Sequence, residues 1–586
     1  MARKAYDRLM IRLLRQTPHS PVPGPSPSRR PGEETRWQRW RAQAGPWAGL
    51  IALCLVLFLP GMMTLPPFDR DEARFAQASR QMIESGDYIR ISFQHEPRNK
   101  KPIGIYWAQA ASAHLFGGKD APIGAYRLPS MLAAMAAVLL LFAGLRRQTD
   151  PATAFLAASL LAATLLTVVE AHLAKTDASL LACTVGALMA LLRAYRPLDG
   201  ETALPLRYVA LFWGALGAAI LVKGPVVPMV VGATILALGF SDKAWAWLKR
   251  LRPVLGLPLT VLIVAPWTLA ILSQPGSGSA TAGGNFFVDA IRGDLLPKLV
   301  GSQEGHGAPP GFYLALLAVT FFPGTLLLIP AARAAWRERF DPLVRFALAW
   351  VLPSWLLFEL IPTKLPHYVL PLYPALALLV ARFAATAAAE SIGHWSARLS
   401  QALWALVALV LAAVTVALGL YFDQELNPIA LIGAAIFVIG AGLTLRWIWR
   451  GSAAHALVTA VTVVALGYGV LLSAVLPASS GFFLSRGLAA MAESLHPGAR
   501  LAAAGYAEPS LVFLTETTTR LTDAETAAQL LADRQVDLAL IGDRDITKFR
   551  AAADAAGLTV DALAIERGFN YSKGRWVTVT FFRRAA

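Results

Sequence analysis

The stretch Phe68-Asp69-Arg70-Asp71-Glu72-Ala73-Arg74 places three carboxylates and two arginines in one short run. A carboxylate in such a setting can take a proton from a hydroxyl or orient it, and guanidinium groups can hold an anion. The plain alternative is a solvated helix start, because acids favour helix N-termini and Asp71 suits an N-cap. Two further polar stretches follow, Glu84-Ser85-Gly86-Asp87-Tyr88 and Glu96-Pro97-Arg98-Asn99-Lys100-Lys101-Pro102.

The elements that must hold these groups are apolar. Of 586 residues, 56% are hydrophobic and only 15% charged, against about 25% charged in soluble domains. The apolar residues come in blocks of about 20, the length that crosses about 30 Å of hydrocarbon. Thirteen such spans are predicted, at 47–65, 122–145, 151–171, 176–194, 205–222, 224–241, 254–273, 311–332, 343–361, 366–386, 402–421, 428–447 and 455–476. The fold class is therefore mainly α, a polytopic helical membrane protein. The first run is preceded by more than 40 polar or Pro-rich residues, which is not the pattern of a cleavable signal. The basic, Pro-rich residues 1–46 read as a disordered tail. Cys54 and Cys183 both lie in apolar runs, so no disulfide framework or metal knuckle is available.

The net charge of +16 would suggest nucleic acid in a soluble protein. Here it follows from topology, since Lys and Arg gather in cytoplasmic loops, and no nucleic-acid partner is expected. With the N-terminus inside, the inner connections carry Arg146–Arg147, Arg193/Arg196/Arg207, Lys243/Lys249/Arg250/Arg252, Arg333/Arg337/Arg339/Arg345, Arg398 and Arg446/Arg450. All are basic, while the short outer connections carry few cations. Two outer loops, 66–121 and 274–310, are too long to be mere connectors. The first holds two helical stretches, Asp71 to Ser85 and Ile103 to Phe116, both expected at the membrane surface. The Tyr106-Trp107 pair reads as an interfacial anchor. Residues 480–586 change character. Segments such as LVFL, DLALIG and WVTVTFF alternate with Ala-rich helical stretches such as TDAETAAQLLADR, which reads as an extracytoplasmic α/β domain. The transmembrane domain is then 47–479. Gly568 to Trp576 reads as a strand-turn-strand hairpin.

The segment FDRDEARFAQASRQMIESGDYIRISFQHEPRNKKPIGIYWAQAASAHLFG resembles the first outer loop of the bacterial aminoarabinose transferase and protein O-mannosyltransferase family. These are GT-C fold enzymes related to glycosyltransferase family 39, with the pattern DEARYA…REM…GDW…P…EKPP…YW…FG. The acidic, Gly-Asp, Lys-Pro and Tyr-Trp elements recur in order. Thirteen spans and a soluble C-terminal domain also resemble the aminoarabinose branch. Carried over residue by residue, the resemblance places the family's catalytic aspartate on Asp71 and its lipid-phosphate lysine on Lys101. The family's usual Glu before that lysine is Lys100 here, which adds positive charge. A second aspartate falls on Asp177 in AHLAKTD, and the Lys-Gly motif on Lys223. Lys-Leu-Pro-x-Tyr-x-Leu-Pro falls on Lys364 to Pro371, including Tyr368. The His-containing loop falls on Glu304 to Tyr313, with Glu304 and His306.

What the resemblance implies is transfer of a sugar from a polyprenyl-phosphate donor to a lipid A-like or other glycan acceptor at the outer side of a bacterial inner membrane. The leaving group is already a stable anion, so no second carboxylic acid is needed to protonate it, unlike in a glycosidase. Lys101 would hold the phosphate, with Lys223, Lys364, Arg74 and Lys100 as helpers, and Asp71 would be the base, with Asp177 beside it. Direct displacement inverts the anomeric centre. No cofactor is certain. A divalent ion on Asp71, Asp177 and His306 is the open alternative, although no tight metal spacing exists. The other readings are a protein O-glycosyltransferase and, in a different class, a flippase. A flippase would put ionisable groups near mid-span on repeated broken helices, whereas these sit at span ends.

Overall fold

The computed structural model describes residues 36–68, 70–274, 286–297 and 307–585. The chain divides into two units between Ala48 and Gly49. The helices before the C-terminal region are α1 (Arg36–Phe58), α2 (Asp71–Ser85), α3 (Gly104–Leu115), α4 (Ile123–Leu145), α5 (Pro151–Ala163), α6 (Leu165–Ala171), α7 (Asp177–Tyr195), α8 (Leu206–Lys223), α9 (Val226–Asp242), α10 (Pro253–Leu272), α11 (Phe312–Thr320), α12 (Leu328–Arg337), α13 (Pro342–Leu360), α14 (Tyr373–Thr386), α15 (Trp395–Leu418), α16 (Pro428–Trp449) and α17 (Ala453–Val470). Each apolar run read from the sequence falls on one of these or on a consecutive pair. Among the described residues, nine segments are long and apolar enough to cross a bilayer, and eleven if two bent pairs each count as one span. The pairs are α5/α6, bent by 60°, and α11 with Gly324–Arg337, bent by 111°. The apolar part of α1 (Ala44–Phe58) and α9 are shorter. Thirteen crossings are therefore reached only by counting the bent and short helices. The chain is a multi-pass membrane protein.

The helix starts follow from local chemistry. The side chains of Asp150, Asp341 and Asn427 accept from amides of the first turns they precede, and each is followed by a proline at the first helical position. Where α5 breaks into α6, Leu165 N–H donates to the carbonyl of Phe322 at the other break, 2.8 Å away. Each broken helix thus satisfies a group that the bend exposes, as backbone within a membrane requires.

A small sheet domain follows the last span. Strands β1 (Ser92–Phe93) and β2 (Glu96–Pro97) belong to the first loop, and β3 (Leu501–Ala504), β4 (Arg520–Leu521), β5 (Leu538–Gly542), β6 (Val560–Asn570) and β7 (Arg575–Arg584) to this domain. Its sheet order is β4-β3-β5-β7-β6, with β3 parallel to β4 and β5, and β7 antiparallel to β5 and β6. Side chains alternate across a strand, so Leu501 and Ala503 pack on Leu484, Leu488 and Ala492 of helix α18 (Leu484–Leu495). Ala502 and Ala504 face Ala527, Leu531 and Phe549 on the opposite side. Gly568 to Trp576 forms the β6–β7 hairpin. The LVFL segment is not a strand but part of a short helix, α19 (Pro509–Leu514). Proline at its first position fixes a helical φ, and an apolar run this short does not itself distinguish strand from helix.

This domain covers the first loop, and one face of α2 is buried beneath it. Gln77, Ser79 and Arg80 are buried. Gln77 Nε2 donates to Thr517 Oγ1 (2.6 Å), Arg80 Nη1 to the Phe513 carbonyl (3.1 Å), and Arg80 Nε pairs with Glu84 (3.1 Å). Tyr106 is also no interfacial anchor. It is fully buried against Phe75 and accepts from Arg98 Nε, while Trp107 is exposed. Arg80→Ala leaves the Phe513 carbonyl and Glu84 without that partner, a loss of about 1–3 kcal/mol. Amide hydrogen exchange across 513–519 is expected to rise in that variant, and unchanged protection would show that Arg80 does not hold the domain down.

Candidate active site

Four segments end at one place. Helix α6 ends just after Glu170, the connection 172–176 carries Lys175, α7 begins at Asp177, and α8 ends at Lys223. The 3-10 turn Pro366–Leu372 brings His367 and Tyr368 alongside. Asp177 at a helix N-terminus and Lys223 at a helix C-terminus suit the helix dipole, whereas Glu170 in the last turn of α6 does not and depends on its lysine partner. Gly224 follows Lys223 at φ 67°, a conformation that stops the helix there.

The side chains form one charge-balanced knot. Lys223 Nζ lies 2.5 Å from Asp177 Oδ1 and sits 5.4 Å from the centre of the Tyr368 ring. Lys175 Nζ lies 2.9 Å from Glu170 Oε1 and 3.7 Å from Asp177 Oδ2. It also lies 3.3 Å from His367 Nδ1. An ammonium only donates, so Nδ1 accepts and the ring hydrogen sits on Nε2, 3.9 Å from Asp177 Oδ2. Two carboxylates thus face two ammonium groups across a neutral imidazole. Glu170, Lys175 and Asp177 are all buried, and a buried charge persists only when paired in this way. Burial pulls Lys175 down, but the carboxylates of Glu170 and Asp177, with Asp71 adding to them, outweigh it and hold Lys175 above its ordinary value. Lys175 is therefore a fixed cation at working pH.

Glu170, Asp177 and His367 offer ligand atoms within 4.8 Å of one another. Both carboxylates are already paired with lysines, so a divalent ion there would meet two ammonium groups at close range. The donor set fits ammonium pairing better than a metal ion.

Asp71 opens α2 as its first helical residue, not as its cap. The cap position belongs to Arg70, at φ 64° with no side-chain capping bond. Asp71 is exposed, and its neighbour Glu72 is buried. Glu72 forms a fully enclosed ion pair with Arg127 of α4, with Nε to Oε1 at 2.7 Å and Nη2 to Oε2 at 2.9 Å. Arg127 also donates to the carbonyls of Met62, Leu65 and Pro66, and Glu72 accepts from the amides of Phe68 and Ala174. One ion pair thus ties the exit of the first span, the start of α2 and the connection bearing Lys175.

The expected site residues divide. Asp177, Lys223 and Tyr368 meet directly, while Asp71 lies outside that contact and bears on Lys175 only through its charge. Lys101 Nζ donates to the Lys100 carbonyl at 3.1 Å. Lys364 is buried and donates to the Ile361 carbonyl at 2.6 Å. Lys100 is exposed and Arg74 half-buried. Glu304 and His306 lie outside the described residues. Glu170, Lys175, His367 and the Glu72–Arg127 pair are additions. Glu170 and Arg127 had a signal, since each is an ionisable residue inside an apolar run. Lys175 and His367 sit inside the quoted motifs, but nothing in their spacing told of the contact.

Residues 100–269 match the family described as dolichyl-phosphate-mannose-protein mannosyltransferases. The chain is 29% identical over 342 residues to the undecaprenyl phosphate-α-4-amino-4-deoxy-L-arabinose arabinosyl transferase of Pseudomonas paraeruginosa, covering 56% of this chain and 58% of that one. It is 28% identical over 388 residues to the protein of the same description from Pectobacterium carotovorum, covering 65% and 66%. The matched stretch therefore spans less than two thirds of these relatives. In structure, the chain superposes on ArnT from Cupriavidus metallidurans bound to undecaprenyl phosphate with a TM-score of 0.73, at 19% identity, over 92% of this chain and 98% of that one. The fold is that of a polytopic membrane protein of the GT-C type with an added C-terminal sheet domain. Within that class, the chain is similar in sequence and fold to the aminoarabinose transferases.

Proposed function

We propose that this chain is an inverting glycosyltransferase that moves a sugar from a polyprenyl-phosphate donor to a lipid A-like acceptor on the outer side of a bacterial inner membrane. The N-terminus is then cytoplasmic and the sheet domain periplasmic. What supports the reading is an exposed carboxylate, Asp71, whose charge acts on Lys175, together with the buried centre in which Lys175 and Lys223 pair with Glu170 and Asp177.

A polyprenyl phosphate leaves as an anion, so the site needs cations and no acid to protonate it. Lys101, half-buried beside the exposed Lys100, binds the phosphate. Lys223 and Lys175 hold Asp177 and Glu170 and set the local field. Asp71 takes the acceptor's hydroxyl proton. Where the acceptor group is itself a phosphate, already ionised, Asp71 orients it instead. Tyr368 shields one side of Lys223 through its ring face. Lys364 supports the turn that carries His367.

Lys101→Ala is expected to raise the donor KM about 10–100-fold, the loss of one charge-assisted contact to phosphate, with kcat less affected. An unchanged KM would remove Lys101 from the donor site. The proposal as a whole is tested by mass spectrometry of lipid A and envelope glycans from cells with and without this chain. A sugar-bearing lipid A species that disappears on deletion supports it. Loss of a protein glycan with unaltered lipid A would move the acceptor to protein, the reading that the mannosyltransferase match favours. No change in either would overturn the proposal.

A further inference from the structure

Helices α4, α7 and α8 run from the candidate active site to the opposite end of the bundle, where a second group of charges collects around Tyr208. Arg147 Nη1 donates to the Tyr208 hydroxyl at 3.3 Å. The guanidinium of Arg207 lies 5.3 Å from the Tyr208 ring centre, and that of Arg193 lies 6.0 Å from it. Arg193 is buried. One of its nitrogens pairs with Glu201, while its Nε and Nη1 have no acceptor among the described residues. Arg147 and Arg207 are both exposed, and neither has a carboxylate partner among the described residues. Leu206, next to Arg207, is 60% exposed at the start of a membrane-crossing helix.

We propose that the Arg147–Tyr208–Arg207 face binds the phosphodiester headgroup of an anionic bilayer lipid, with Arg193 behind it fixing the positive field. Two exposed guanidinium groups meet one tyrosine, Arg147 at its hydroxyl and Arg207 over its ring, and their five-donor planar geometry matches phosphate oxygens. Basic pockets between membrane helices are suited to such headgroups. The exposed Leu206 sets the occupant in the bilayer, since a lipid brings acyl chains to that surface and free phosphate does not. Cations at span ends also fix the direction of insertion. That role depends on charge in the loop and is indifferent to convergence on one tyrosine, so the two roles can be separated.

The experiment uses the full chain in nanodiscs and reads lipid retention by native mass spectrometry. The membranes are phosphatidylcholine with added phosphatidylglycerol. The variants are R147A/R207A and, as an equal charge loss in another inner connection, R250A/R252A. An accessibility reporter confirms that all insert alike. The expected result is that retention of phosphatidylglycerol falls about tenfold or more in R147A/R207A, stays at the wild-type level in R250A/R252A, and is not displaced by inorganic phosphate. Equal loss in both variants would reduce the cluster to generic charge and overturn the site. Displacement by millimolar inorganic phosphate would assign it to a soluble anion. Because the readout is lipid retention, its failure leaves the transferase proposal standing, and the reverse also holds.

Discussion

Asp71→Asn is expected to lower sugar transfer by roughly 10²–10⁴-fold, the usual contribution of a positioned general base, while the protein still folds and inserts. The side chain is exposed and lies outside the buried network, so the amide replaces it without leaving a partner stranded. The expected signature is a fall in kcat with donor KM nearly unchanged, because the cations that hold the lipid phosphate are intact. Steady-state kinetics in detergent with a polyprenyl-phosphate sugar make the measurement, with the unfolding midpoint as the control for structure. Wild-type kcat in the Asn variant would remove Asp71 from the chemistry.

Arg127→Ala is expected to have the largest structural effect. The Glu72–Arg127 pair is fully enclosed, and removing one partner of such a pair costs about 3–5 kcal/mol because a bare charge stays behind. The carbonyls of Met62, Leu65 and Pro66 lose their donor as well. The thermal midpoint in detergent should fall by several degrees, with transfer lost too, since the first turn of α2 is no longer tied to the Lys175 connection. The double variant R127M/E72Q separates the two effects. With both charges gone, much of the stability should return, yet transfer should stay low because Asp71 is no longer positioned. A midpoint equal to wild type in Arg127→Ala would show that the pair is not a structural tie.

Most of the architecture was readable because it rests on periods and lengths. Apolar blocks of bilayer length predict helices, and every block falls on one or on a bent pair. The α2 boundaries, Asp71 to Ser85, could be read from an acidic first turn and a Gly86 stop, which the structure holds at φ 70°. What could not be read depends on distant residues meeting. Lys175 and His367 touch although 192 positions separate them, and no local pattern encodes that. The burial of α2 under the sheet domain was hidden for the same reason. Gln77, Arg80 and Gln94 look like solvent-facing polar residues until Phe513, Thr517 and Thr519 are laid over them. Tyr106 misled in the other direction. Beside Trp107 it resembles an interfacial pair, yet successive residues of a helix point about 100° apart, and only Trp107 faces out.

The most direct measurement is turnover by the purified chain. With the protein in nanodiscs, a panel of undecaprenyl-phosphate-linked sugars and lipid A are supplied, and the lipids are followed by mass spectrometry. The expected result is lipid A carrying one added sugar together with free undecaprenyl phosphate in equal amount. Donor left intact beside an acceptor of unchanged mass, with a correctly folded protein present, would contradict the account.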